Sequence, residues 1–234
     1  MDELTFKKAL EDHGLIVSDR QMEQFHTYYE MLIEWNQKMN LTAITKKEDV
    51  YLKHFYDSLT IAFDHPFTNQ NIADVGAGAG FPSIPIKIMY PDIKVTIIDS
   101  LNKRITFLNE LFKVLGLKDT QAFAVRAEDF AKDHRECYDI VVGRAVARLN
   151  ILDELCLPLV KVDGYFLSLK GKKAEEEIVE AKKGISTLGG VIINDHHFTL
   201  SNDEDHRHNI IIKKVKKTPK QYPRAYAKIK KRPL

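Results

Sequence analysis

A glycine-rich segment between a short apolar run and a helical pattern holds the residues best suited to bind a ligand. Residues 74–82 read DVGAGAGFP. Glycines at a strand-to-helix turn allow the backbone to approach a ligand closely and to point its amides at it. The spacing is GxGxG, and Phe81 stands where a dinucleotide-binding GxGxxG motif needs a third small residue. Phe81 therefore disfavours an NAD-dependent oxidoreductase, and the three alternating glycines disfavour a turn that binds no ligand. Both stay as alternatives.

The next predicted strand ends on a carboxylate. Asp99 follows Gly76 by 23 residues, the distance at which nucleoside-binding doubly wound folds place an acid that accepts both hydroxyl protons of a ribose. Ser100 then has the position expected for the N-cap of a helix that starts at Leu101. The alternative role for Asp99 is that of an exposed acid at a helix start.

Two later strand ends carry further candidate groups. Residues 126–129, RAED, follow the third predicted strand, but acids at a helix start are common for dipole reasons alone. Residues 143–147, GRAVA, follow the fourth. The carboxyl ends of parallel strands are where ligands bind in open α/β sheets, so these segments are expected near the glycine loop.

The elements that must position these groups alternate between strand and helix patterns. Short β-rich runs occur at about 72–75, 94–98, 121–125, 139–142, 162–169, 190–197 and 209–215. Strands separated by helical periodicities predict an α/β fold with a doubly wound, mostly parallel, seven-stranded sheet. The polar residues 199–208 are too few for a crossover helix, so the last strand is expected to be antiparallel.

The first seventy residues read as a separate helical cap. Ser18 and Gln21 have the spacing of a capping box, and an amphipathic helix follows that ends near Asn40. A second helical stretch covers about 49–63. The predicted organisation is a cap over 1–70, a ligand-binding domain over 71–215 and a basic tail over 216–234.

Charge is distributed unevenly along the chain. The 234 residues carry a net charge of +2, yet residues 213–234 hold ten of the 35 Lys and Arg and no acid, which leaves a body of net −8. A basic tail on an acidic body suggests a polyanionic partner, which Lys216, Lys217, Lys220 and Arg224 are predicted to bind. If that partner is RNA, Tyr222 and Tyr226 are available to stack on its unpaired bases.

Composition limits the class of protein. With 44% hydrophobic residues the chain can bury a core, and it has neither an apolar run long enough to span a bilayer nor a signal-like start. Two cysteines without CxxC spacing suit a reducing compartment. We expect a cytoplasmic protein with no membrane association. The histidines at 196, 197, 206 and 208 are interpreted as surface or strand residues, and no metal is expected.

Several short segments together resemble the bacterial ribosomal RNA small subunit methyltransferase G family, also called glucose-inhibited division protein B. They are NLT at 40–42, HFYDSL at 54–59, the loop at 74–82, DSL at 99–101, KR at 103–104, RAVA at 144–147, LKG at 169–171 and YPR at 222–224. The resemblance implies a Rossmann-like class I methyltransferase that transfers a methyl group from S-adenosylmethionine to N7 of one guanine in 16S rRNA or the small ribosomal subunit.

The resemblance also implies which residues contact the cofactor. These are Gly76, Phe81, Asp99, Ser100, Leu101, Ala127, Glu128 and Arg144, to which the loop spacing adds Gly78. Guanine N7 has a free lone pair, so its methylation requires no catalytic base, and the catalytic residues are left unassigned. The remaining alternative is an RNA-binding or ribosome assembly factor that keeps the fold without turnover.

Overall fold

The computed structural model describes residues 1–201 and 205–234. The segment 202–204, part of the predicted β6–β7 connection, lies outside the described residues. Seven strands form one sheet: β1 Asn71–Val75, β2 Lys94–Asp99, β3 Thr120–Ala124, β4 Tyr138–Arg144, β5 Val160–Gly171, β6 Gly190–Thr199 and β7 His206–Lys214.

The sheet has the order β3-β2-β1-β4-β5-β7-β6. Strands β1 to β5 pair in parallel, whereas β7 pairs antiparallel with both β5 and β6. The predicted seven-stranded, mostly parallel sheet with an antiparallel last strand is therefore confirmed. The chain order reverses between β1 and β4, and this is the position at which open α/β sheets bind ligands.

Helices cover both faces of the sheet, and most of them are short. They are α1 Glu3–Glu11, α2 Asp19–Met39, α3 Lys47–Val50, α4 Asp57–Leu59, α5 Ile61–Asp64, α6 Ser83–Met89, α7 Asn102–Val114, α8 Ala127–Phe130, α9 Leu149–Cys156, α10 Ala174–Thr187 and α11 Tyr226–Lys231. A π-helical turn, Tyr51–Tyr56, joins α3 to α4, and the linking residue Thr60 also has right-handed helical backbone. The second helical stretch predicted for the cap is therefore present over residues 47–64 with a π-helical turn within it.

The N-terminal cap packs directly on the sheet. Its α2 begins with the predicted capping box, in which the Ser18 hydroxyl and the Gln21 side chain each accept from the other residue's backbone N–H, and ends at Asn40, whose φ is +50°. Phe6, Phe25 and Phe55 are fully buried and belong to the same apolar cluster as residues of β1 and β2. The cap thus shares one core with one face of the sheet.

The predicted N-cap role of Ser100 is wrong. Helix α7 begins at Asn102 with Leu101 in the cap position, and no side chain bonds its free amides. The carboxylate of Asp99 instead accepts from the backbone N–H of Leu101 at 3.0 Å. Asp99 therefore supplies the acceptor that was expected from Ser100, and the helix begins at Asn102, one residue later than the predicted start at Leu101.

Candidate functional site

A cavity of about 460 Å³ opens at the carboxyl ends of the central parallel strands. Eight of the nine residues predicted to contact a cofactor line it: Gly76, Gly78, Phe81, Asp99, Ser100, Ala127, Glu128 and Arg144. The ninth, Leu101, does not line the cavity and is 42% exposed. The strand ends after β1, β2, β3 and β4 thus meet around one space, which we call the first cavity.

The glycine loop adopts a conformation that other residues would strain. Gly76 has φ +74°, and a Cβ there would lie 2.7 Å from a methyl group of Val146. Gly80 has φ +105°, and a Cβ there would meet the Tyr28 hydroxyl at 2.7 Å. That hydroxyl donates to the carbonyl of Ala79, so a buried tyrosine of the cap fixes the far end of the loop.

Asp99 lies in the first cavity with most of its acceptor capacity in use. Its carboxylate accepts from the backbone N–H of Gly78 at 3.2 Å and of Leu101 at 3.0 Å, and from the Arg104 guanidinium at 2.9 Å. A carboxylate offers about four acceptor positions. One remains for a ribose hydroxyl, and Arg104, with a side chain one-third exposed, is the partner free to move.

Asp74 is completely buried under the glycine loop. One carboxyl oxygen accepts from the backbone N–H of Ser83 at 3.1 Å, which joins the end of β1 to the start of α6. The other oxygen has no hydrogen-bond partner among the described residues. Burial raises the pKa of Asp74 to about 7, because desolvation disfavours the charged form.

An ion-pair network joins the end of β4 to the cap. The Arg144 guanidinium donates to the Asp57 carboxylate at 3.2 Å, and Arg207 of β7 donates to the other oxygen of Asp57 at 3.1 Å. Arg144 also lies over the ring of Phe81, 5.1 Å from its centroid. All the groups are largely buried, so the network fixes the floor of the site rather than presenting a free cation.

His54 is a neutral member of this network. Burial, together with the nearby Arg144 charge, lowers its pKa to about 3. Arg144 has only donors and lies 3.3 Å from Nδ1, so Nδ1 accepts and the proton is on Nε2, which donates to the Thr42 hydroxyl at 2.9 Å. The Ser58 hydroxyl donates to the His54 carbonyl and not to the imidazole, so the sequence HFYDSL forms no serine–histidine pair.

A second cavity, of about 470 Å³, adjoins the first. His54, Arg144, Ala145 and Val146 line both. Four basic residues, Lys53, Arg144, Lys170 and Arg207, and two acids, Asp57 and Glu177, lie around the second cavity. The end of β4 therefore separates two spaces of similar size, as a site that brings two ligands together requires.

The predicted RNA-binding lysines lie far from these cavities. Strand β7 runs antiparallel to its neighbours, so its end at Lys214 lies beside the beginnings of the parallel strands. Just after this strand, the backbone N–H of Thr218 donates to the side chain of Glu136, which precedes β4. Lys216, Lys217 and Lys220 are exposed at this opposite edge of the sheet. Their predicted role in binding RNA stays a prediction.

Arg224 has a buried partner. Its guanidinium makes a two-pronged contact with Glu154 of α9, with Nη2–Oε2 at 2.6 Å and Nε–Oε1 at 2.9 Å, and its backbone N–H also donates to Glu154. Glu154 is fully buried. This geometry makes Arg224 an anchor of the tail, because Glu154 engages its Nε and Nη2 donors.

The four histidines near the β6–β7 connection pair with acids or with each other. His196 lies 2.8 Å from Asp64, and His208 lies 2.8 Å from Asp195. His197 and His206 are joined by a 2.9 Å contact between ring nitrogens. Within residues 1–201 and 205–234 no three such side chains converge as metal ligands would.

Sequence reasoning assigned no role at the site to several residues that line the first cavity. Thr42 and His54 come from the cap, Arg104 from α7, and Tyr226 from the tail. Spacing gives no signal that the cap or Tyr226 contacts the site, because these elements lie far from it along the chain, whereas Arg104 follows Asp99 by only five residues. The segments NLT, HFYDSL and KR, which contain Thr42, His54 and Arg104, stand out only through the family resemblance.

The fold is that of the class I methyltransferases. A precorrin-6y C5,15-methyltransferase from Geobacter metallireducens GS-15 superposes with a TM-score of 0.52 at 14% identity, over 73% of this chain and 89% of that one. TYW2 of M. jannaschii, solved in complex with AdoMet, superposes with a TM-score of 0.52 at 17% identity, over 63% and 70% of the two chains. These likenesses concern the fold.

The chain belongs to the rRNA small subunit methyltransferase G family, GidB, whose model matches residues 21–208. A relative from Halalkalibacterium halodurans, described as a ribosomal RNA small subunit methyltransferase G, is 55% identical over 237 residues and covers 100% of both chains. Membership makes the protein a methyltransferase and confirms the family resemblance of the sequence. Among the described residues, no helix is long and apolar enough to cross a bilayer.

Proposed function

We propose that this protein transfers a methyl group from S-adenosylmethionine to N7 of a guanine in 16S ribosomal RNA. The observation that carries the proposal is the pair of cavities that meet at His54 and at residues 144–146. The first would hold the cofactor and the second the target base. When bound, S-adenosylmethionine supplies a methyl group on a sulfonium ion.

The lining of the first cavity suits this cofactor. A Cβ at Gly78 would have no atom within 4 Å, so the loop leaves space beside its backbone there, and Asp99 keeps one acceptor position for a ribose hydroxyl. The relation to TYW2, whose solved complex contains AdoMet, supports the same choice. The loop and Asp99 would therefore hold the amino-acid and ribose parts of the molecule.

The groups at the junction of the cavities suit N7 of guanine as the acceptor. N7 has an in-plane lone pair and carries no proton, so no residue has to act as a general base. His54 is accordingly not placed to act as a base, because its low pKa makes it a weak base and both ring nitrogens are engaged by Arg144 and Thr42. The contribution of these residues is to hold the base in line and to exclude water.

The second cavity also suits a nucleotide by its charge. Arg207 and Lys170 face it from neighbouring strands, and Lys53 faces it from the cap. A phosphate is attracted to such a group of cations. Asp57 and Glu177 lie beside them, so acceptors are present near a base that becomes cationic on methylation.

Methyl transfer to RNA tests the proposal. Purified full-length protein, S-adenosylmethionine with a labelled methyl group, and 16S rRNA from cells that lack this protein should give label at N7 of one guanine, located by chemical cleavage at N7-methylguanine. Gly76→Val should abolish transfer, since its side chain would overlap Val146. Label elsewhere in the RNA, or none with folded protein and intact small subunits, would refute the assignment.

The two alternative functions give different results. A nicotinamide-dependent oxidoreductase would bind NAD in a calorimetric titration, whereas we expect binding of S-adenosylmethionine only. An assembly factor without turnover would bind RNA and leave it unmethylated. Both measurements use the same protein preparation, so they separate the three functions directly.

The position of the lysines gives a test of where RNA binds. Neutralising Lys53, which lines the second cavity and whose ion pair with Asp49 is partly exposed, should lower RNA affinity and reduce the slope of log K against log salt by about 0.7 to 0.9 for one lost phosphate contact. Neutralising Lys216, Lys217 and Lys220 together should change the slope less, because they lie at the opposite edge of the sheet. A larger change of the slope for these three lysines would indicate that RNA binds along the tail.

A further inference from the structure

The C-terminal segment after β7 returns across the molecule to the first cavity. It starts at the edge of the sheet opposite the cavity and reaches the cavity with Tyr226, the first residue of α11. The Arg126 guanidinium, at the end of β3, lies over the Tyr226 ring, 5.7 Å from its centroid. Tyr226 is half-buried, so one part of its side chain packs on the protein while it lines the cavity.

Specific contacts hold this segment in place. Arg135 donates to the backbone carbonyls of Thr218 and Pro219, at 2.6 and 2.9 Å, and also to that of Tyr222. Two residues before Tyr226, Arg224 binds the buried Glu154 through two nitrogens. Tyr226 is therefore a positioned wall of the cavity.

The part of the cavity near Tyr226 differs in character from the part near the glycine loop. Of the residues that line the cavity, Ile98, Ala127 and Leu155 belong to one apolar cluster, and Val125 and the Tyr226 ring pack against that cluster. At the glycine loop, backbone amides and the carboxylate of Asp99 dominate. An apolar slot with one aromatic wall fits a flat heteroaromatic ring, and the polar end fits hydroxyl and amino-acid groups.

We infer that Tyr226 is a cofactor-binding residue, which packs its ring against the adenine of S-adenosylmethionine and closes the first cavity at the end of β3. This inference rests on the proposed function, which puts that cofactor in the first cavity. It gives the C-terminal segment a role in cofactor binding, whereas the sequence suggested that Tyr226 stacks on RNA bases. Arg224 and Glu154 act as positioning residues for the ring.

Calorimetric titration of the full-length protein with S-adenosylhomocysteine tests the inference without an activity readout. Removing the ring in Tyr226→Ala should weaken binding about tenfold, since it removes the stacking of an aromatic side chain on the base. Tyr226→Leu, which keeps an apolar contact with α9, should lose a similar factor. Tyr226→Phe should stay within about twofold of the unaltered protein.

Tyr222→Ala is the matched control. Tyr222 belongs to the same segment and is half-buried beside the guanidinium of Arg224, but it does not line the cavity. It should leave the affinity within about twofold. An equal loss in Tyr222→Ala and Tyr226→Ala would show that displacement of the segment, and not the ring, lowers binding, and would overturn the inference.

A titration with adenosine tests whether Tyr226 contacts the adenosine part of the cofactor. Tyr226→Ala should weaken adenosine binding by the same factor as S-adenosylhomocysteine binding. Unchanged affinity of Tyr226→Ala for either ligand would overturn the inference while the proposed function stands. If the unaltered protein binds neither S-adenosylmethionine nor S-adenosylhomocysteine, the proposed function itself fails. The two failures are thus distinguishable.

Discussion

Segments from the two ends of the chain flank the first cavity, and they are held by different forces. The N-terminal cap contributes Thr42 and His54 and is fixed by an aromatic core that it shares with the sheet. The C-terminal segment contributes Tyr226 and is held mainly by charge-assisted hydrogen bonds from Arg135 and Arg224. Ile229 is the main fully buried apolar side chain that it adds.

This difference indicates that the cap is an integral part of the folded domain, whereas the C-terminal segment is attached to the surface of that domain. Apolar burial is non-directional and proportional to area, so the cap forms one cooperative unit with the sheet. The bonds of the tail depend on geometry and on single partners. We therefore expect damage to the cap to unfold the protein, and damage to the tail anchor to release a segment and lower ligand binding.

The largest effect is expected in the cap. Phe55 is fully buried and contacts Phe6, Phe25 and Phe81. Phe55→Ala should lower the free energy of unfolding by about 4 kcal/mol, because it removes buried apolar surface and leaves a cavity. Urea denaturation measures this. Phe123→Ala, at a position 39% exposed on β3, is the control and should cost about 1 kcal/mol or less.

The anchor of the tail should show an intermediate effect. Arg224→Ala leaves the buried Glu154 without its guanidinium partner and should cost about 2 to 3 kcal/mol in urea denaturation. Adding Glu154→Gln should recover part of that loss, because it removes the unpaired charge. If the two changes are simply additive, the pair is not coupled and the tail is held by other contacts.

The smallest effect concerns the acid next to this anchor. Asp153 is fully buried, and within the described chain neither of its carboxyl oxygens has a hydrogen-bond partner. Burial, reinforced by the charge of Glu154, raises the pKa of Asp153 to about 8 from an ordinary value of 3.8. The folded state therefore binds a proton more tightly than the unfolded state does.

The sign of the pH dependence follows from linkage. Below about pH 4 Asp153 is protonated in both states and costs nothing, and its penalty grows as the pH rises to about 8. The isosteric Asp153→Asn should equal the unaltered protein in stability at pH 3 and exceed it by about 2 kcal/mol at about pH 5.5 in urea denaturation, with a growing difference as the pH rises further. A constant difference across this range would show that Asp153 does not titrate.

Much of the fold could be read from local patterns. Alternating strand and helix periodicities predicted seven strands, and the short link before the last strand predicted its antiparallel direction. The second helical stretch of the cap was also predicted, but not the π-helical turn at Tyr51–Tyr56 within it. Local propensity sets which elements form, but packing against the sheet decides where a helix is interrupted.

The sequence by itself determined the parts of the site that lie at the carboxyl ends of the parallel strands. The glycine loop, Asp99 and Arg144 follow consecutive or neighbouring parallel strands, whose carboxyl ends must meet at one edge of the sheet. Their residue types and their positions relative to the predicted strands indicate that they bind a ligand. These residues were therefore predictable before the structure was known, and all of them line the first cavity.

Only the tertiary structure decided which distant residues complete the site. It joins Asp57 to Arg207 across 150 residues, brings Tyr226 to the first cavity, and engages Arg224 with Glu154. It also puts Lys216 and its neighbours at the far edge of the sheet, although they are close to Tyr226 in sequence. The physical reason is that long-range packing and strand direction, which no local spacing encodes, decide where a side chain lies.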